Sequence, residues 1–223
     1  MMIKAVIFDM FETLVSLYRC EQYFGEHICK DMGINEEKFR EMWDPSEPDR
    51  STGVKRLEDT LREIMEKNNV FSEELLETIV RKRSESRGKV FSCYREDIKP
   101  MLRSLKDCGI KVGLITNCFS EEAVAIKESD LYPFFDVPVL SFDEGMMKPD
   151  PAIYRLALDR LGVKPEECLY VGDGGSHELE AAREIGMKPL QALWYLKENT
   201  RSTRGHNPAF AGLEEPGDVL RYL

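Results

Sequence analysis

Five short apolar runs, rich in β-branched residues, constrain this chain more than any other feature. They cover residues 4–8, 111–115, 137–140, 168–171 and 189–194. Each has the length of a strand, and none alternates polar with apolar residues. Near-continuous apolar strands are buried on both faces, the mark of a parallel sheet covered by helices. Helical stretches lie between most of the runs. Asp150-Pro151 supplies an N-cap and a proline at the first helical position; Ile153, Leu156, Ala157 and Leu161 follow at helical spacing, and Gly162 closes the stretch. This alternation predicts an α/β fold, a Rossmann-like parallel five-stranded sheet with helices on both faces.

One region breaks the alternation. Between residues 15 and 92 no strand is evident. Helices are expected at roughly 18–32 and 36–43, followed by the separator Asp44-Pro45-Ser46-Glu47-Pro48. Val54, Leu57, Leu61, Ile64 and Met65 then fall on one helix face, and Leu75, Leu76, Ile79 and Val80 form a second apolar stripe. The chain therefore divides into an α/β core, residues 1–14 and 93–223, and a helical cap, residues 15–92. An insert directly after the first strand lands at the C-terminal edge of the sheet, where such folds bind ligands, and is placed to act as a lid. Residues 197–208 read as a polar loop, and Arg81-Lys82-Arg83 as a solvated helix face.

Charge and cysteine content narrow the function. The 223 residues carry 41 acids and 31 bases, a net −10, which argues against binding a nucleic-acid backbone. No run of 18 apolar residues exists to span a membrane. The N-terminal apolar run meets Asp9 at once and is too short for a signal-peptide core, so a cytoplasmic protein is expected. The six cysteines form no CxxC pair and read as reduced thiols. His27 and Cys29 stand apart from any other soft-ligand pair, so no zinc site is expected.

Three strands end in polar residues suited to chemistry. The first leads into Asp9-Met10-Phe11-Glu12-Thr13, the second into Thr116-Asn117, and the fourth into Gly172-Asp173-Gly174-Gly175. Lys148-Pro149-Asp150 lies between the third and fourth. Parallel strand ends converge on one edge, so these residues supply two carboxylates, a hydroxyl and an ammonium. That set suits in-line displacement at an anionic group with a bound metal. The ordered motifs DxFxTL, TN, KPD and GDGGSHE resemble those of the haloacid dehalogenase-like (HAD) hydrolases, and the helical insert is similar to their C1-type cap. The resemblance covers essentially the whole chain.

It implies a set of roles. Asp9 would be the nucleophile, ionised at neutral pH. Thr116 would hydrogen-bond a substrate oxygen, with Asn117 beside it. Lys148 would keep Asp9 ionised and neutralise the transferring group. Asp173 and the Phe11 backbone carbonyl would ligate Mg²⁺ together with Asp9, and Glu178 would act as a further acid through a water, in preference to its neighbour His177. The substrate would be a small anionic molecule.

Phe11 departs from the pattern. Phosphatases of the family have aspartate there, as the general acid/base. Three readings follow: a Mg²⁺-dependent phosphatase lacking that acid, a metal-independent 2-haloacid dehalogenase, or a weakly catalytic ligand- or partner-binding protein. Dehalogenases have an aromatic residue at this position, because halide leaves unprotonated. Two further acids near Asp9 would repel it without a cation, which favours the phosphatase. Glu12 is a weak substitute acid. Arg40 and Arg19 are candidate cap clamps for a substrate carboxylate, although Arg40 reads better as a solvated helix residue. Cys118 follows the second motif without a histidine to activate it.

Overall fold

A computed structural model describes residues 2–196 and 205–223. Six parallel strands form one sheet: β1 (Ala5–Phe8), β2 (Lys111–Thr116), β3 (Val137–Leu140), β4 (Cys168–Gly172), β5 (Lys188–Ala192) and β6 (Ala211–Leu213). Their order is β3-β2-β1-β4-β5-β6. The chain fills one side of β1 and then the other, so the order reverses between β1 and β4. Ligands bind at that switch point in folds of this kind.

β1 explains the apolar run that encodes it. Val6 and Phe8 face one hydrophobic cluster, Ala5 and Ile7 the other, and all four are fully buried. Helices α6 (Ile98–Asp107) and α7 (Ser120–Glu128) cover the first face. Helices α9 (Pro151–Leu161) and α10 (Glu178–Ile185) cover the second. The expected helix from Asp150 forms as read: the Asp150 side chain accepts from the Ala152 N–H at 2.8 Å, and Gly162 closes it at φ 65°. A four-residue helix, α8 (Ser141–Glu144), follows β3.

The sheet has six strands where five were expected. β6 holds three residues, including Gly212, and pairs only with β5. So short a segment carries no periodicity to read. Much of the polar stretch 197–208 lies outside the described residues.

Between β1 and α6 stand five helices: α1 (Gly25–Met32), α2 (Glu36–Trp43), α3 (Glu47–Ser51), α4 (Leu57–Lys67) and α5 (Glu73–Lys89). They build a third cluster from Ile28, Phe39, Leu57, Leu61, Ile64, Leu76, Ile79 and neighbours, all within residues 28–79. The first helix is shorter than expected, because residues 18–24 are not helical. Tertiary contacts take their place: the Gln22 amide donates to the Ser86 carbonyl at 2.8 Å, and the Tyr23 N–H donates to Ser86 Oγ at 3.1 Å. The proline-containing separator starts α3, with proline in its first turn. Val54 lies before α4 and is exposed, so it is not part of that helix face.

Arg83 is buried, contrary to the solvated face expected. Helical spacing puts Arg83 and Arg87 in line with Leu76 and Ile79, toward the core. Arg83 pairs with Glu121 of α7 at 3.0 Å, and Arg87 with Glu122 at 2.9 Å. These buried pairs fasten α5 to α7. No described helix is long and apolar enough to cross a membrane.

Candidate active site

The sheet order explains why distant residues meet. β1 delivers Asp9, whose N–H donates to the Val171 carbonyl of β4 at 2.9 Å. β4 then delivers Asp173, and the turn after it returns Glu178 at the first position of α10. Carboxylate oxygens of Asp9, Asp173 and Glu178 lie within 4.8 Å of one another, and all three residues are buried.

Lys148 sits among them with 3% exposure. Its Nζ donates to Asp9 Oδ1 at 2.6 Å and to Glu178 Oε2. Tyr170 completes the knot: its hydroxyl donates to Glu178 Oε2 at 2.8 Å and accepts from Lys148 Nζ at 3.3 Å. Asn117 holds the Lys148 backbone at both ends, accepting from its N–H at 2.8 Å and donating to its carbonyl at 3.0 Å. Asn117 therefore acts on the site through Lys148. Thr116 is fully buried at the end of β2, and its hydroxyl donates weakly to the Asn117 carbonyl at 3.4 Å.

Local backbone geometry brings Glu178 back to the sheet. Ser176 and His177 both adopt left-handed conformations, at φ 53° and 52°, which turns the chain tightly. Both residues are exposed, Ser176 at the edge of the site and His177 outside the cluster, while Glu178 is wholly buried. Gly172 makes room for that burial. A Cβ there would lie 2.7 Å from Glu178 Cδ and closer still to Oε1. The Gly174 N–H donates to Glu178 Oε1 at 3.2 Å, and the Gly175 N–H to Asp173 Oδ1 at 2.8 Å.

The charges do not balance. Three carboxylates surround one ammonium. Burial works against the Lys148 charge, yet the adjacent Asp9 and Glu178 carboxylates hold it protonated above the ordinary lysine range. Burial, with the repulsion of Asp9 and Asp173, pushes Glu178 up to about 8 despite the attraction of Lys148. A divalent cation would remove that imbalance. The donor set is all oxygen, as magnesium requires. The residues present thus fit a hard dication.

Asp9, Phe11, Glu12, Asn117, Lys148, Asp173 and Glu178 line a small cavity of about 150 Å³. A larger one, about 510 Å³, opens between α5 and α7 and shares none of these residues. Phe11 lines the cavity with Asp9, is half-buried against the first hydrophobic cluster, and offers no proton to exchange. Burial pushes Glu12 up to about 7, but both its oxygens are engaged, by Ser16 Oγ at 2.8 Å and the Leu17 N–H at 2.9 Å. Neither candidate clamp lines this cavity. Arg40 is exposed and paired with Glu36 at 2.8 Å, and Arg19 is exposed beside the Tyr195 ring. Two contributors escaped the sequence reading. Tyr170 looks like any buried strand residue, and Gly172 could have been found from its place immediately before the strand-end aspartate.

The model of the haloacid dehalogenase-like hydrolases matches residues 3–186. The chain belongs to this family. Among full-length relatives of this HAD-like hydrolase is a glyceraldehyde 3-phosphate phosphatase from Methanocaldococcus jannaschii, 24% identical, the match covering 100% of this chain and 99% of the relative. Two solved structures share the fold with TM-scores of 0.64. One is a HAD phosphatase from Thermococcus onnurineus, 23% identical over 99% of this chain and 97% of that one. The other is a 2-haloacid dehalogenase from Pseudomonas syringae, 21% identical with the same coverage. The shared fold thus spans both chemistries, and the choice between them falls to the residues of the HAD site itself.

Proposed function

We propose that this hydrolase is a Mg²⁺-dependent phosphatase of a small phosphorylated metabolite. The excess of buried carboxylate over ammonium around Asp9 carries this reading. Metal-free displacement of halide has no use for Asp173 and Glu178 so close to a carboxylate nucleophile. Asp9, Asp173, the Phe11 carbonyl and, through water, Glu178 would hold Mg²⁺. When bound, the ion would neutralise phosphoryl oxygens and orient the group.

This chain's own residues would do the rest. Asp9 attacks phosphorus as the P–O bond to the alcohol breaks, the alcohol leaves with a proton taken from solvent, and water then hydrolyses the aspartyl-phosphate to inorganic phosphate and free Asp9. Lys148 keeps Asp9 ionised, and its charge offsets that of the transferring group. Thr116 would meet a substrate oxygen, and Asn117 positions Lys148. Helices of residues 15–92 would form the cap, closing over the strand ends. A small substrate is favoured because the cavity is well below the roughly 300–1,000 Å³ of a drug-sized ligand pocket. The name of the Methanocaldococcus relative is also that of an enzyme for a small phosphate ester.

Phe11 favours a second reading, the dehalogenase, since an aromatic ring beside the nucleophile suits a leaving group that needs no proton. One assay separates the two. Phosphate esters and 2-haloacids are offered with Mg²⁺ and with chelator. Ester hydrolysis lost to chelator and restored by Mg²⁺ is expected, with Asp9→Asn inactive. Halide release that survives chelation would establish the dehalogenase instead.

A further inference from the structure

β5 carries a glutamine, Gln191, between the buried Leu190 and Ala192. Leu190 and Ala192 belong to the first hydrophobic cluster, so Gln191 lies on the opposite face of the sheet, the one that α9 and α10 cover. A buried amide is costly there unless its polar atoms are paired, and those of Gln191 are. Its Nε2 donates to the Asp173 carbonyl at 2.9 Å and to the Gly205 carbonyl at 3.1 Å. Its Oε1 accepts from the Asn207 N–H at 2.7 Å. A carbonyl only accepts and an N–H only donates, so a single orientation of the amide satisfies all three bonds. The parallel register aligns Gln191 with Gly172, which brings it within reach of the next residue, Asp173. The peptide unit between Asp173 and Gly174 is thereby held at both ends. Gln191 binds its carbonyl oxygen, and its N–H, that of Gly174, donates to Glu178 Oε1 at 3.2 Å. Gly174 takes φ 94°, and a Cβ on it would lie 3.2 Å from Gln191 Nε2. Behind the amide, Asn207 also reaches α10, its Nδ2 donating to Glu180 Oε1 at 3.3 Å, two residues after Glu178.

We propose that Gln191 is a positioning residue for the metal site: it pins the Asp173–Gly174 peptide, and with it the carboxylates of Asp173 and Glu178, against residues 205–207. Without the amide, the peptide plane turns by opposite changes in ψ of Asp173 and φ of Gly174, and glycine makes that turn cheap. The turn carries the Gly174 N–H away from Glu178 and loosens the Asp173 side chain, which the Gly175 N–H holds at 2.8 Å. Partners of this kind, one bond removed from an ion, fix the direction in which its ligands point. By linkage, an ion that orders the loop also orders the segment behind Gln191. The effect on Mg²⁺ rests on the metal-dependent reading of the site; the pinned peptide does not.

The test compares the full-length wild type with Gln191→Met, which keeps the length of the side chain and removes all three bonds. Hydrogen exchange of residues 173–178 in metal-free protein is expected to be faster in the variant. Titration calorimetry with Mg²⁺ is expected to give a dissociation constant about 10–100-fold higher. Hydrolysis of p-nitrophenyl phosphate falls at limiting Mg²⁺ and recovers at saturating Mg²⁺, which places the defect in affinity and not in kcat. Leu190→Ala, buried on the same strand but on the other face, is the control: it loses stability and keeps the wild-type Mg²⁺ affinity. A residue that only stitches the sheet would behave as Leu190 does. Wild-type Mg²⁺ affinity in folded Gln191→Met therefore overturns the role in metal binding, and unchanged exchange at residues 173–178 overturns the pinning. The wild type gives a further check should the variant fail to fold. Mg²⁺ should slow exchange of residues 205–210 as well as 173–178, and protection confined to 173–178 overturns the coupling. Absence of Mg²⁺ binding by the wild type would count against the metal reading alone, because exchange in the metal-free proteins still decides the pinning.

Discussion

Substituting alanine for Gly172 tests whether the tight seat of Glu178 matters. The backbone at Gly172 has an ordinary negative φ, so alanine strains nothing locally and acts only through its Cβ. That atom would stand 2.7 Å from Glu178 Cδ and 3.1 Å from Tyr170 Cε1. Restoring van der Waals contact moves the carboxylate back by about 1 Å, and Glu178 has no exposed surface to move into. The bonds from Lys148, the Tyr170 hydroxyl and the Gly174 N–H stretch or break. Overpacking and a weakened charged hydrogen bond together predict a loss of about 2–4 kcal/mol in metal-free stability. A shift of this size in a supporting ligand predicts about 10–100-fold weaker Mg²⁺ binding. Urea unfolding in chelator reads the first, and titration calorimetry with Mg²⁺ the second. Gly88→Ala is the control: nothing lies within 4 Å of its Cβ, and near the C-terminal end of α5 it should change stability by less than about 1 kcal/mol, in the stabilising direction. In a Glu178→Ala background the cost of Gly172→Ala should shrink, since the clashing atoms are gone. Wild-type stability and Mg²⁺ affinity in Gly172→Ala would refute the reasoning.

Other predictions concern Phe11, the α5–α7 contact and Cys118. Phe11→Asp should raise kcat by up to about 10²-fold for esters of poorly leaving alcohols and change p-nitrophenyl phosphate little. Rates across a leaving-group series check it, and an unchanged dependence on leaving-group pKa would mean that another group supplies the proton. Arg83→Met strands Glu121 in the interior and should cost about 3–5 kcal/mol in urea unfolding. A cost below about 1 kcal/mol, as for an exposed pair, would contradict its burial. Burial pushes the Cys118 thiol up to about 12, so iodoacetamide at mildly alkaline pH should label Cys108 and spare Cys118 in the folded protein. Early labelling of Cys118, read by mass spectrometry, would show it accessible.

What the sequence reveals here follows from how local each signal is. α9 is bounded by its own cap residues, Asp150 and Gly162, and needs no knowledge of the fold. The helix over 36–43 is likewise found where expected, with Asn35 as its cap. The two-faced burial of β1 is written in four successive apolar residues. β6 is too short to announce itself, and residues 18–24 leave a helical pattern because distant Ser86 and Arg87 bind them. Arg83 shows the same limit, since a basic cluster reads as solvated until Glu121 appears opposite. At the site, resemblance brings Asp9 and Lys148 into one argument, and their side chains stand 2.6 Å apart. Tyr170 has no such signal, because its polar end matters only after Glu178 has been turned back by two left-handed residues.

The central position of β1 also dictates an order of assembly. The ribosome makes this strand first, yet Ala5 pairs with Lys111 on one side and Cys168 on the other. Neither partner exists until long after β1 has emerged. Meanwhile residues 28–79 supply all the buried members of their own hydrophobic cluster and can condense early from contacts that are near in sequence. The growing chain thus carries a collapsed helical body beside an apolar strand with two unsatisfied edges, the state in which nascent proteins are most prone to aggregate. The same strand carries Asp9, so protection of β1 during synthesis and acquisition of the nucleophile's partners are completed together, when β4 docks.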